Sequence, residues 1–224
     1  MENTIYVEML IDSTDKIYMD TSSLMNVPEL KILINSISCK LKEAQKTITI
    51  PQAVFMELAC HSVSDDKRKR DLAIAVIEIL SEHKDIFSLE SEKISPDCLI
   101  KNFADAKLLA ELTENKSAYR QLLITNDRNL SLDAFELNNL ESCKGHKIKV
   151  CYLNKYGELH RCSCVSKSAE PEIKVVEKEV IKYVYKDNDS NLKKTGQIFI
   201  PTLTFVLGYL AGNKKVISNF KKLF

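Results

Sequence analysis

The stretch Leu122-Leu-Ile-Thr-Asn-Asp-Arg-Asn-Leu130 decides the fold class of this 224-residue chain. It begins with a compact apolar run over 122–124, which is typical of a buried strand, and the polar residues 125–127 end that run. Apolar residues then recur at 134, 135, 137 and 140, a spacing typical of a helix. A strand followed by a polar turn and a helix is the building unit of α/β proteins with a parallel sheet.

The same unit recurs on both sides of this stretch. Ile17-Tyr-Met19 is a short apolar run that ends in the polar cluster Asp20-Thr-Ser-Ser23, and a helix is predicted over 28–44. The β-branched run Thr47-Ile-Thr-Ile50 stops at Pro51, which begins a second helix. Further strands are predicted at 86–89 and 148–153, and further helices at 72–80 and 104–112. This alternation predicts an α/β fold with a mainly parallel central sheet covered on both faces.

Composition excludes several classes of protein. The chain carries 32 basic and 31 acidic side chains, a net charge of +1, so it lacks the basic excess of a general nucleic-acid binder. Five glycines and five prolines exclude collagen-like or low-complexity architecture. Residues 1–12 have neither the basic start nor the apolar core of a secretory signal, and the seven cysteines are an odd count. We therefore expect a cytoplasmic protein with reduced thiols.

Four acidic residues are predicted to meet at one edge of the sheet. Asp20 and Asp127 each follow an apolar strand run. Glu57 lies within about two helical turns of the second strand, and Asp105 lies in or near the first turn of another helix. Ligands of open parallel sheets bind outside the carboxyl ends of the strands, and this is where the four side chains would converge.

A cluster of like charges is costly unless a cation neutralises it or one carboxyl keeps its proton. Carboxylate oxygens suit Mg²⁺ or Mn²⁺, and one or two such ions can activate water for attack on a phosphodiester. A simpler explanation makes Asp20 and Asp127 turn residues, Asp105 a helix-terminal acid and Glu57 a solvated helix residue. Each acid taken alone fits that explanation better, whereas the four together favour a metal site.

Four segments of the chain resemble the motifs of the PIN-domain nucleases. They are Ile17-Tyr-Met-Asp-Thr-Ser-Ser-Leu-Met25, Ile50-Pro-Gln-Ala-Val-Phe-Met-Glu-Leu58, Phe103-Ala-Asp-Ala-Lys-Leu-Leu-Ala110 and Leu123-Ile-Thr-Asn-Asp-Arg-Asn-Leu130. The four acids within them are 37, 48 and 22 residues apart in chain order, which agrees with the order and spacing of that family's motifs. The resemblance covers about residues 15–155 and is closer to larger bacterial members than to minimal toxins.

The resemblance implies a three-layer α/β sandwich whose acidic pocket binds Mg²⁺ or Mn²⁺ and hydrolyses RNA. The metal ligands and catalytic residues that it carries over are Asp20, Glu57, Asp105 and Asp127. The residues that would orient carboxylates or water are Thr21 or Ser22 beside the first acid and Thr125 or Asn126 beside the last.

Some PIN domains have lost acids and act as scaffolds. The alternative is therefore a catalytically inactive scaffold on the same fold, one that binds nucleic acid or is tethered to a membrane. This sequence keeps every acid of the four motifs, which favours the nuclease.

A basic run follows the helix of Glu57 and has the charge to contact RNA phosphates. It consists of Lys67, Arg68, Lys69 and Arg70, which also suit a solvated helix start. RNA is the expected partner, and the sequence leaves open a homodimer and a regulatory protein. The typical paired spacing of a zinc site is lacking among Cys143, His146, His160, Cys162 and Cys164.

We predict that the chain divides into a PIN-like nuclease domain over 1–155, a hairpin and linker or stalk over 156–194, and an apolar segment with a basic flank over 195–224. Residues 195–213 carry no charge, and lysines flank them on both sides. This length is marginal for a membrane span, which needs about 20 predominantly apolar residues. Two alternatives stay open for the segment: a membrane anchor, and a helix that docks on the domain or on a second subunit.

Overall fold

Helices and strands alternate along the chain in the computed structural model, which describes residues 2–90 and 104–162. Within these ranges the helices are α1 (Glu2–Asp12), α2 (Thr21–Leu24), α3 (Val27–Glu43), α4 (Gln52–His61), α5 (Lys67–Glu82), α6 (Ala104–Asn115) and α7 (Arg128–Glu136). The strands are β1 (Lys16–Met19), β2 (Ile48–Ile50), β3 (Phe87–Leu89), β4 (Gln121–Ile124), β5 (Lys149–Leu153) and β6 (Leu159–Arg161). The predicted linker beyond residue 162 and the uncharged run 195–213 lie outside the described residues. Across the ranges that are described, no helix has the length and apolar character needed to cross a bilayer.

The strands form one sheet in the order β3-β2-β1-β4-β5-β6. The first five strands are parallel, and β6 pairs with β5 in the antiparallel sense. Ile17 of β1 is in register with Ile48 of β2 on one side and with Leu122 of β4 on the other. The predicted α/β class with a mainly parallel sheet is therefore confirmed. The strand order reverses direction between β1 and β4, and such a switch point opens a crevice at the carboxyl ends of these strands.

Alternate side chains of each strand point to opposite faces of the sheet. Ile17 and Met19 of β1 belong to a core cluster that includes α1, α3 and α5, whereas Tyr18 belongs to a second cluster with α6 and α7. All three side chains are buried. Helices therefore cover both faces of the sheet, an arrangement compatible with a three-layer sandwich.

The helix α3 shows why this sequence folds locally as predicted. Most of its apolar residues fall on one helical stripe that is buried in the core, whereas Ile32 is exposed. Pro28 sits in the first turn, where its missing N–H is tolerated. The buried residues of the stripe are Val27, Leu30, Leu33, Ile34, Ile37 and Leu41. Burial of one such leucine or isoleucine side chain contributes about 1.5–3 kcal/mol.

Two features of the fold differ from the prediction or were not foreseen. Residues 2–12, to which the sequence assigned no element, form α1, which buries Val7, Leu10 and Ile11. The helix α7 ends at Glu136, so the prediction that it continues to Leu140 is wrong. The reason is Asn138, whose amide donates to Ile148 O (2.9 Å) and accepts from Ile148 N (2.8 Å), which directs the chain towards β5.

The predicted turn at 154–157 is confirmed and joins β5 to β6. Asn154 Oδ1 accepts from the backbone N–H groups of Tyr156 (2.8 Å) and Glu158 (2.9 Å), and Gly157 has a positive φ of 72°. The strand β6 extends the sheet to Arg161, beyond the expected domain end at residue 155.

Replacement of Gly157 by alanine tests the contact between this hairpin and α3. The new Cβ would lie 2.5 Å from Ile32 Cβ and 2.9 Å from Glu29 O, at a φ that L-residues rarely adopt. We expect a loss of about 1–3 kcal/mol in the free energy of unfolding, measured by urea denaturation. The control is Lys155→Ala at an exposed position of the same turn. Equal stability of the two variants would show that the hairpin does not press on α3.

Candidate functional site

The candidate site lies at the switch point between β1 and β4. Asp20 follows β1 directly, and its N–H donates to Ile124 O of β4 (3.2 Å). Thr125 N continues the sheet hydrogen bonds by donating to Cys151 O of β5 (2.9 Å). The two chain segments that leave β1 and β4 are therefore fixed side by side, and they carry Asp20 and Asp127 to the same edge of the sheet.

Asp20 is buried, with only 4% of its surface exposed, and caps the N-terminus of α2. Its Oδ1 accepts from Ser23 N (3.0 Å), and its Oδ2 accepts from Ser22 Oγ (2.7 Å) and Thr125 Oγ1 (2.8 Å). Burial raises the pKa of Asp20, while the hydrogen bonds from Ser22, Ser23 and Thr125 favour the charged form and act in the opposite direction. The net direction is upward because desolvation dominates.

Asp127 caps the N-terminus of α7. Its Oδ1 accepts from Asn129 N (2.7 Å) and Leu130 N (3.2 Å), and its own N–H donates to Thr125 Oγ1 (3.0 Å). Thr125 therefore accepts from Asp127 and donates to Asp20, so one buried hydroxyl joins the two strand-end acids. Both hydrogen bonds to the Asp127 side chain reach the same oxygen, Oδ1.

Glu57 reaches the same edge from α4. Its Oε2 accepts from Thr21 Oγ1 of α2 (2.6 Å), and His61 Nε2, one turn further along α4, lies 3.5 Å from Oε1. The prediction placed Thr21 beside Asp20, but its hydroxyl instead joins α2 to Glu57. His61 was not foreseen; the signal in the sequence is its position four residues after Glu57 on a helix.

Asp105 lies at an exposed position in the first turn of α6. Partial desolvation raises its pKa, and the negative charges of Asp127, Asp20 and Glu57 raise it further, in that order. The charges of the other three acids therefore all act on Asp105.

Asn126 acts as a structural cross-link and does not contact a carboxylate. Its Oδ1 accepts from Ser23 Oγ (3.0 Å) and Leu153 N (3.0 Å), its Nδ2 donates to Leu153 O (2.8 Å), and its N–H donates to Ser22 Oγ (3.0 Å). It thereby joins the loop after β1 to the end of β5. Ser23 was also missed by sequence reasoning, although it lies three residues after the capping Asp20, where an N–H donor is expected.

Among the described residues the four acids do not form a ready-made metal cage. Within 2–90 and 104–162, no three Asp, Glu, His or Cys side chains are grouped closely enough to hold an ion as they stand. Asp20 and Asp127 Oδ1 instead accept from hydroxyl and backbone donors, and Glu57 accepts from Thr21. The absence of a three-residue metal group in these ranges includes Cys143, His146, His160 and Cys162, whereas Cys164 lies outside the described residues.

The basic run occupies the first turn of α5, directly after the capping residue Asp66. Its first three residues, Lys67, Arg68 and Lys69, are exposed, whereas Arg70 Nη1 donates to Ser64 O (2.8 Å). The helices α4 and α5 pack against each other, so the run belongs to the same helix pair as Glu57.

Comparisons of this chain with protein-family models, with curated proteins and with solved structures found no match.

Replacement of Asp127 by asparagine tests whether the acids interact. Asparagine keeps the N-cap of α7 but removes the charge that raises the pKa of Asp105 most strongly among its charged neighbours, so the pKa of Asp105 should fall. The measurement is an NMR titration of the Asp105 carboxyl carbon. Asp85→Asn is the control, since Asp85 pairs with Lys42 (2.7 Å) and does not contribute to this shift. An unchanged titration midpoint of Asp105 in Asp127→Asn would show that the two carboxylates do not interact.

Proposed function

We propose that this chain is a PIN-like, divalent-metal-dependent endoribonuclease with a three-layer fold. Asp20, Glu57, Asp105 and Asp127 hold Mg²⁺ or Mn²⁺, and water attacks the scissile RNA phosphate without a covalent intermediate. The observation that carries the proposal is the pair of hydroxyl links between the acids: Thr125 joins Asp20 to Asp127, and Thr21 joins Glu57 to the helix that Asp20 caps. Desolvation and then the charges of the other acids raise the pKa of Asp105, which agrees with this arrangement. Perturbed carboxyls in one crevice at a strand switch point are typical of functional sites.

The acids could instead be ordinary turn, helix-terminal and solvated helix residues, but this explanation accounts for only part of the arrangement. Asp20 and Asp127 do cap helices, as turn residues would. Glu57 caps no helix, yet it is tied to α2 by the short bond from Thr21. Asp105 lies in the first turn of α6, as a helix-terminal acid would, but the charges of the other acids also act on it. A cation that neutralises the cluster explains why these four charges are kept together.

The donor set suits a hard divalent cation. All four proposed ligands are carboxylates, and the helix-capping bonds of Asp127 reach only Oδ1. Such a cation would polarise the phosphate, activate water and stabilise the leaving oxygen. The side chains around the acids hold the carboxylates in place: Thr125 orients Asp20, while Thr21 and His61 contact Glu57.

RNA suits the charge distribution around the site. Phosphates are attracted by exposed cations, and Lys67, Arg68 and Lys69 begin the helix that packs on α4. Arg128, directly after Asp127, and Lys107, two residues after Asp105, add positive charge to the two other helices that approach the site. A cytoplasmic location, a homodimer, a regulatory partner and membrane association through 195–213 stay predictions.

The second candidate function is a scaffold that binds nucleic acid without catalysis. It is favoured by the finding that, in the part of the chain that the structure describes, the acids do not yet form a three-ligand metal group. Metal binding and metal-dependent turnover distinguish the two functions.

Cleavage by the full-length chain is the direct test. The protein is incubated with a pool of structured and single-stranded RNAs in Mn²⁺ or in EDTA, beside Asp20→Asn and Asp127→Asn. We expect cleavage in Mn²⁺ but not in EDTA. The cleavage rate of either variant should fall by about 100-fold or more, because even loss of a residue that only orients metal ligands lowers activity by 10–100-fold. Both asparagines can still cap their helices, so the fold should persist.

The control for this assay is Asp85→Asn, which changes the same charge away from the site and should cleave like the unaltered protein. Cleavage that continues in EDTA, or that is insensitive to both site variants, would refute the proposed mechanism.

Thermal unfolding tests the metal without any RNA. Mn²⁺ should raise the melting temperature of the unaltered protein, since a ligand at 100 times its Kd stabilises the native state by about 2.7 kcal/mol. Asp127→Asn should lose most of this increase, and Asp85→Asn should keep it. A well-folded protein whose melting temperature does not change with Mn²⁺ would instead support the non-catalytic scaffold function.

A further inference from the structure

Two stacked aromatic rings lie on one face of the hairpin formed by β5 and β6 and have no role in the mechanism above. Tyr152 of β5 and His160 of β6 are direct partners in the antiparallel pairing of these strands. Their ring centroids are 5.7 Å apart, and their planes are inclined by 28°. Tyr152 is 39% exposed, and the side chain of His160 is 42% exposed. This pair is called the ring platform below.

The helix α7 covers the neighbouring positions on this face of the sheet but leaves the ring platform partly exposed. Side chains two residues apart on a strand share one face. Val150, two residues before Tyr152, is buried in the cluster that includes α6 and α7. Cys162 Sγ, two residues after His160, lies 3.7 Å from Ser131 Oγ of α7. The well-covered part of this face therefore ends one step before the two rings.

Polar neighbours hold His160 in place. Its Nε2 lies 2.9 Å from Asn154 Nδ2 and 3.3 Å from Glu158 Oε2. Asn154 in turn is fixed by the turn, because its Oδ1 accepts from the N–H groups of Tyr156 and Glu158. A contact surface that is ordered before its ligand arrives loses less entropy on binding than a mobile one.

The ring platform lies at the same edge of the sheet as the candidate site. Thr125 N donates to Cys151 O (2.9 Å), which continues the parallel pairing of β4 with β5 and brings Thr125 beside Tyr152. Neighbouring strands are about 4.8 Å apart, and two residues span at most about 7 Å. The Cα atoms of Asp127 and Tyr152 are therefore at most about 12 Å apart, a span that a short single strand of RNA can bridge.

Exposed cations at this edge have the charge to hold the phosphates between stacked bases. Arg128 follows Asp127 at the start of α7, and Lys155 lies in the turn after β5; both are exposed. Proteins that bind single-stranded nucleic acid combine positive charge along the backbone with aromatic rings on which bases stack. The carboxyl edge of β4 and β5 offers both kinds of contact.

We propose that the ring platform of Tyr152 and His160 stacks one unpaired base of a single-stranded RNA whose backbone continues to the candidate metal site. Tyrosine and histidine are among the side chains on which unpaired RNA bases stack. Stacking tolerates any sequence because every base has a π-face, so the platform adds affinity and position without choosing a base. The inference rests on the proposed function for its RNA substrate, and it adds a contact outside the four acids.

Oligoadenylate and an abasic RNA oligomer of equal length form a matched pair of probes. They have the same phosphate charge, but only oligoadenylate has bases that can stack. Binding of fluorescently labelled oligomers to the full-length chain is measured by anisotropy in EDTA, so that no metal-dependent cleavage occurs. We expect oligoadenylate to bind at least about fivefold more tightly than the abasic oligomer, which is the lower range for one stacked base.

Two variants assign the preference to the ring platform. Tyr152→Leu and His160→Leu keep an apolar or similarly sized side chain and remove one ring, so each should weaken oligoadenylate and leave the abasic oligomer unchanged. The control is Tyr156→Leu, which removes a more exposed tyrosine from the adjacent turn and should keep the preference. Cross-strand ring pairs also stabilise hairpins, and a purely stabilising role would lower the melting temperature without changing the preference.

Tryptophan fluorescence gives a second readout that does not depend on removing a ring. The chain contains no tryptophan, so Tyr152→Trp places a single indole in the ring platform. Oligoadenylate should quench the emission of this indole by stacking, whereas the abasic oligomer should not. Tyr156→Trp is the control and should not distinguish the two oligomers.

Three results would overturn the ring platform as a binding site: equal affinity of the unaltered protein for the two oligomers, no measurable binding of either, or a preference that survives in both leucine variants of the platform. Failure of the nuclease proposal looks different, because platform-dependent binding of oligoadenylate without Mn²⁺-dependent cleavage would support the platform and refute the enzyme. Cleavage with equal affinity for the two oligomers would refute only the platform.

Discussion

The parallel pairing of β1 with β4 is the constraint on which the candidate site depends. Parallel strands end at the same edge, so the residues that follow β1 and β4 leave the sheet together. The buried hydroxyl of Thr125 then joins the two departing segments, since it donates to Asp20 and accepts from the N–H of Asp127. Any register shift between these strands would separate the two acids and break this link, because neighbouring residues of a strand face opposite sides.

The site combines two demands on the same carboxylates. Asp20 and Asp127 stabilise the starts of α2 and α7 through backbone N–H donors, and such caps are worth about 1 kcal/mol each. Burial of Asp20 and the mutual repulsion of the acids act against the charged forms. The caps thus fix where the charges lie, and the remaining repulsion is what a bound cation would relieve. Helix capping and the proposed metal binding therefore do not exclude each other for these two residues.

Much of this architecture follows from the sequence because it depends on local patterns. The apolar stripe of α3, the strand runs ended by polar residues and the turn at 154–157 are all local signals, and each is found in the structure. The end of α7 was mispredicted because Asn138 bonds to the backbone of Ile148, a contact that periodicity does not reveal. The helix α1 was missed because its stripe is short and mixed with exposed apolar residues such as Ile5 and Met9.

The site shows the same division between local and distant signals. That Asp20 and Asp127 share an edge could be predicted from strand ends alone. The partner of Thr21 could not, because Glu57 is 36 residues away and depends on how α4 packs on α2.

The lengths of the outermost strands bear on how the protein behaves in a crowded solution. Both β3 and β6, which flank the described sheet, are only three residues long. A strand this short offers another chain few backbone groups to pair with, and natural proteins use short edges to prevent sheets from joining. The parallel strands that hold the acids lie in the interior of the sheet. The backbone hydrogen bonds of these interior strands are consequently shielded from the mispairing between chains that begins aggregation. The positions of the acids are thus protected by β3 and β6, which carry none of them.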